Sequence, residues 1–147
     1  MIKIVSGWSG PGGSTVAFNN LVNLFNSRGR NACYYTTSKW DGVTCKWDSH
    51  QNLKFSRDDV LIYHFMQFTK RPPVRKVILS CHETTVFPIK KHKDTVYDNV
   101  HFVSQFQKEW QDIDGQVIPN VFQKYAPRPN KFKVSCAGVL GSIDPNK

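Results

Sequence analysis

Apolar residues gather along this chain in short runs, separated by glycine, proline and polar turns. Ile2 to Val5 is one such run, of strand length. Ala17, Leu21, Leu24 and Phe25 then recur at helical spacing, which predicts a helix that Ser14 can cap and that runs to about Arg28. Gly29 is placed to end it in a left-handed conformation. Asn31 to Thr37 reads as a second strand, and strand–helix–strand with no hairpin signal is a βαβ unit. Such a unit forces a parallel pair and a right-handed crossover. Asp59 leads into Val60 to Phe65, a continuous apolar run of the kind found in strands covered on both faces. Past Pro72-Pro73, Val74 to Cys81 is the next strand, ending in His82-Glu83-Thr84.

The second half continues the alternation. A basic, partly helical stretch from about Ile89 to Asp98 precedes a fifth strand, Val100 to Val103. Ser104 and Gln107 have capping-box spacing, so hydroxyl and amide can satisfy two helix-end N–H groups reciprocally. That helix puts Phe106 and Trp110 one turn apart on a single face. Gly115 closes it, and Gln116 to Asn120 is a sixth strand. Residues 38–57 lack a clean period and read as a long loop packed down by Trp40, Trp47 and Phe55. Strands and helices alternate throughout, which predicts an α/β fold: a Rossmann-like open, mostly parallel sheet with helices on both faces. Residues 1–124 form that domain. Tyr125 to Lys131, with Pro127 and Pro129, reads as a linker, and residues 132–147, with a strand at Lys133 to Leu140, as the opening of a second domain whose remainder is absent.

Composition narrows the class. The chain has 147 residues, 39% hydrophobic and 13% aromatic, which is globular and enough for one domain with a sizeable core. No apolar run is long enough to cross a bilayer, and Met1 to Val5 leads straight into a glycine loop rather than a secretory segment, so the expected location is cytoplasmic. A formal charge of +9 favours anionic partners and is compatible with peripheral contact with an anionic membrane. The basic residues are dispersed, with no arginine-rich arm or aromatic-interleaved RNA motif, so nucleic acid is not an expected partner. Cys33, Cys45, Cys81 and Cys136 show no C-x-x-C pair and read as reduced structural thiols. The five histidines share no metal-ligand spacing with them, and no metal or other cofactor is expected.

The most specific local signal is Gly7-Trp8-Ser9-Gly10-Pro11-Gly12-Gly13-Ser14-Thr15, between the first strand and the first helix. Glycines let the backbone approach a phosphate that a side chain would keep away, and the helix start turns bare N–H groups towards it. The spacing matches a P-loop except that Gly13 replaces the lysine that reaches the outer phosphates. The dinucleotide pattern fits less well, because Thr15 stands where a third glycine is expected.

Taken together, these pieces resemble the N-terminal, acceptor-side domain of a GT-B glycosyltransferase, of the family-4-like retaining type that uses nucleotide-diphosphate sugars. The residues that carry the resemblance are Gly12-Gly13 opening a helix that ends in Ser27-Arg28-Gly29; Val77 to Glu83, a strand ending in a histidine; and His101 to Phe106, a strand–serine–helix step. Pro119-Asn120 resembles the turn closing the first domain, and Ala137 to Leu140 with Asp144 to Lys147 resembles the start of the second. Val121 stands where glycine usually follows that asparagine, and Val139 where an arginine is common. The paired glutamates of that family's second domain are not in this sequence.

The resemblance implies a sugar transfer from a nucleotide sugar to a carbohydrate, lipid-linked or protein acceptor, without a metal, and inactivity of this half alone. It implies that Gly12, Gly13 and Ser14 offer N–H groups to a diphosphate or acceptor phosphate, and that Lys147 is a second diphosphate-binding cation. His82 and Glu83 would carry the catalytic contacts, with Ser104 and Asn120 as further substrate-binding candidates. Ser104 also fits a helix cap and Asn120 a turn. Self-association through the strand at Lys133 to Leu140 is a further expectation. Two alternatives stand beside the transferase: a P-loop-like nucleotide-binding kinase or NTPase, and a non-catalytic basic anion-binding module.

Overall fold

The computed structural model describes residues 1–64, 68, 70–82, 96–111 and 113–120. Seven strands, β1 (Ile2–Ser6), β2 (Ala32–Thr36), β3 (Trp47–Ser49), β4 (Val60–His64), β5 (Lys76–Cys81), β6 (Asn99–Phe102) and β7 (Gln116–Val117), accompany two helices, α1 (Gly13–Ser27) and α2 (Gln105–Gln111). They form one sheet in the order β3-β2-β1-β4-β5-β6-β7, with every neighbouring pair parallel. The fold is therefore the Rossmann-like open α/β sheet that the alternation predicts. The strand order reverses between β1 and β4, which leaves a crevice beyond the carboxyl ends of those two strands.

The strand pattern explains both cores. Ile4 pairs with Tyr34 and Ile62, and these three face Phe18 and Val22 of α1 in one cluster. One residue further on, Val5, Tyr35 and Tyr63 point the other way, into a cluster with Leu61, Val77, Leu79, Phe102 and Ile113. Leu53, Phe55, Phe68, Val74 and Tyr97 pack into that second cluster. Thus the described links from residue 53 onward pass behind the sheet, while α1 stands in front of it. This is the result the right-handed crossover rule gives for strands added first to one side of β1 and then to the other.

Several boundaries differ from expectation. The first helix begins one residue before Ser14, with Gly12 at its N-cap and no side-chain cap bond. Thr15 tightens the turn in Ser14's stead: its hydroxyl donates to the Gly10 and Gly12 carbonyls at 3.0 and 2.9 Å. The C-terminal end is as expected, Gly29 having φ +71°. Residues 38–57 contain the unforeseen β3 and a 3₁₀ turn, His50–Asn52. Asn19 of α1 pins this excursion by accepting from the Thr44 and Cys45 amides. Trp47 anchors it through an indole N–H to the Thr36 hydroxyl at 2.8 Å.

The capping box forms: Ser104 Oγ accepts from the Gln107 amide and Gln107 Oε1 from the Val103 amide. Phe106 and Trp110 share an α2 face, and both are exposed. Cys33, Cys45 and Cys81 are buried free thiols. Among the described residues no helix is long and apolar enough to cross a membrane. Glu83, most of the basic stretch from Ile89, the linker, the strand at Lys133 to Leu140, Cys136 and Lys147 lie outside the described residues.

Candidate functional site

The glycine loop lies at the crevice. Gly7 donates to the His64 carbonyl at 3.0 Å, and Ser6 Oγ meets His64 Nδ1 at 3.2 Å. These contacts tie the loop's root to the end of β4. The Ser6 hydroxyl also accepts from the Trp8 amide. Past Trp8, the indole lies against the loop: a Cβ added at Gly10 or Gly12 would sit 3.4 or 3.7 Å from its ring. Gly13 differs, since a Cβ there would meet nothing within 4 Å. Among the described residues the amides of Gly13, Ser14 and Thr15 have no acceptor, the first intrahelical bond being Val16 N–H to the Gly12 carbonyl. Gly13 is exposed and Ser14 half-buried. Thr15 is fully buried, so the Gly13 and Ser14 amides, at the positive end of a four-turn helix, are the donors open to an anion.

One strand further on, His82 follows β5 directly and is half-buried. Its ring packs on Phe18 at 4.7 Å and on His64 at 4.9 Å between centroids. Phe18 sits one turn into the helix that carries the glycine ledge, so loop and histidine share one end of the sheet. Burial, and then the nearby His64 and His101, push the His82 pKa down to about 3. Burial alone takes His64 to about 4. Both rings are neutral at physiological pH, which suits hydrogen bonding rather than proton shuttling at pH 7.

His82 does not stand alone. Its Nε2 lies 3.1 Å from Ser80 Oγ, which lies 2.9 Å from His101 Nδ1. The His101 Nε2 is 2.7 Å from the Ile118 carbonyl. Ser80 and His101 are register partners on β5 and β6, so the sheet itself holds them together. Between α1 and this row lies a cavity of about 350 Å³, lined by Ala17, Phe18, Leu21, Ile78, His82, His101 and Asn120 among others. Its lining is almost wholly apolar, with the His82 and His101 rings at one side.

The structure thus brings together Gly12, Gly13, Ser14 and His82, with Asn120 on the cavity's far wall. Ser104 is not part of that group; its hydroxyl caps α2. Glu83 and Lys147 lie outside the described residues. Sequence reasoning missed His64, Ser80 and His101. The available signal was positional: Ser80 and His82 are two apart and so share a strand face, and His64 ends the apolar run next to the glycine loop in the sheet. Among the described residues there is no group of three or more acidic, histidine or cysteine side chains that could hold a metal. No protein-family model, curated protein or solved structure matches the chain.

Proposed function

We propose that this chain is the acceptor-side half of a glycosyltransferase that uses a nucleotide-diphosphate sugar. The observation that carries the reading is the ledge of unpaired, open amides at Gly13 and Ser14, lying where the strand order reverses and about one helical turn from the Phe18–His82 contact. In sugar transfer, negative charge grows on the departing diphosphate. Preorganised N–H donors stabilise it without a proton or a lysine. The neutral His82, beside a cavity of roughly sugar size, supplies a hydrogen-bond partner for a hydroxyl group. The kinase alternative is less well served: no lysine follows Gly12 in the loop, and His64 at the end of β4 is followed in the sequence by Phe65, Met66 and Gln67, with no carboxylate for magnesium.

The test is a thermal-shift panel of nucleotide diphosphates and nucleotide sugars on wild type and Gly13→Glu. A ligand at ten times its Kd adds about 1.4 kcal/mol to stability, a shift of a few degrees. A side chain added at Gly13 would have open space at its Cβ and a carboxylate suits a helix start, so Gly13→Glu is expected to keep its melting point while losing the ligand shift. A panel with no shift in wild type, or an equal shift in the variant, overturns the assignment.

A further inference from the structure

The row from Ile118 to His82 has a direction that chemistry imposes. A carbonyl oxygen only accepts, so His101 Nε2, 2.7 Å from the Ile118 oxygen, carries a proton and donates it. In neutral His101 the Nδ1 is then an acceptor, and the Ser80 hydroxyl, 2.9 Å away, donates to it. A serine has a single hydrogen to give. Towards His82 Nε2, 3.1 Å away, Ser80 therefore accepts, and that nitrogen must carry the His82 proton. The low proton affinity of buried His82 leaves no second proton for its ring. Its Nδ1 is left as a bare lone pair, with no hydrogen-bond partner among the described residues.

We propose that Ser80 and His101 are positioning residues which, anchored on the Ile118 carbonyl, lock His82 in the tautomer that presents Nδ1 as an acceptor, so that the ligand group received there is a hydrogen-bond donor such as a hydroxyl and not a phosphate. The inference deepens the transferase reading, on which it rests only for taking the hydroxyl to be a sugar's. It divides the site by chemistry: donors at the α1 ledge hold the anion, and an acceptor at the β5 end selects the hydroxyl. Ser80 is 1% exposed, so it touches no ligand itself and acts through His82.

The tautomer can be read without any ligand. In protein labelled with ¹⁵N-histidine near pH 7.5, long-range proton–nitrogen correlation distinguishes a protonated ring nitrogen from a bare one. His82→Gln and His101→Gln assign the signals. His82 and His101 are both expected with the proton on Nε2. In Ser80→Ala, His101 is expected to keep its tautomer, still held by Ile118, while His82 moves to a mixture; Ser80→Thr, which keeps the hydroxyl, restores it. Finding His82 protonated on Nδ1, or unchanged in Ser80→Ala, overturns the relay. Inorganic phosphate titrated into wild type is expected to leave His82 neutral and Nδ1 bare; protonation of Nδ1 by added phosphate overturns the donor assignment. A negative nucleotide panel with the expected tautomers would remove the transferase reading and leave the relay standing.

Discussion

Acidification should destabilise this protein before its carboxylates titrate. His64 is 3% exposed with a pKa near 4, and His82 is held near 3, whereas both titrate near 6.5 in the unfolded chain. Between those values the unfolded chain binds more protons than the native one, so stability is full above about pH 6.5 and falls as the pH drops through the window. Each pH unit there costs about 1.4 kcal/mol per histidine. From pH 7 to pH 5 that is about 2 kcal/mol for each ring and about 4 kcal/mol for the pair, against a total of about 5–15 kcal/mol for a domain of this size. His50, which burial also pushes down, acts in the same direction. Asp59 and Asp98 are held below the usual carboxylate range and titrate at lower pH. Urea unfolding followed by tryptophan fluorescence at pH 7, 6 and 5 measures the fall. His64→Asn and His82→Gln, which keep the nitrogens that face Ser6 and Ser80, should each flatten the profile by up to about 2 kcal/mol. The double variant should recover less than the sum, because the rings lie 4.9 Å apart and His64 is one of the groups that depress protonation of His82. A wild-type midpoint that does not move between pH 7 and 5, or variants as pH-sensitive as wild type, would refute the reasoning.

Two further outcomes concern stability. Asp59, 4% exposed, pairs with the 6%-exposed Lys3 at 2.7 Å; burial would raise its pKa, but Lys3 and the Ser56 amide bring it down. Asp59→Asn leaves the ammonium buried against a neutral partner and should cost about 3–5 kcal/mol in urea unfolding at pH 7; a loss under 1 kcal/mol would show that Lys3 escapes to water. Gly115→Ala puts a methyl 2.7 Å from the Phe102 ring and 2.8 Å from the Val100 carbonyl, and should cost about 1–3 kcal/mol. An unchanged melting point would mean that the β7 edge moves aside freely.

The elements with strong local patterns could be read in advance, and those made by tertiary contact could not. Val60 to His64 is apolar at nearly every position, and only a strand buried on both faces uses such a run, so β4 was plain. The α1 end was equally plain from Gly29. By contrast β3 is three residues of a polar stretch, Trp47-Asp48-Ser49, and exists because Tyr34, Tyr35 and Thr36 offer it a free edge. Ser14 has a good capping side chain, yet the helix starts before it because Thr15 turns its hydroxyl back to Gly10 and Gly12. At the site, the glycine pair and His82 stood out by position. His101 and Ser80 did not, since their relation is a register match between β5 and β6 that no local window contains.

That the described links from residue 53 onward pack behind the sheet has an architectural outcome. The front of β5 and β6 is roofed by α1, whose Phe18, Leu21 and Phe25 line a cavity with Ile78, His82 and His101. Ser80 lies beneath that surface, fully buried, while Ile78 and His101 stay partly open to the cavity. The row that sets the His82 proton therefore lies under the same helix that carries the glycine loop.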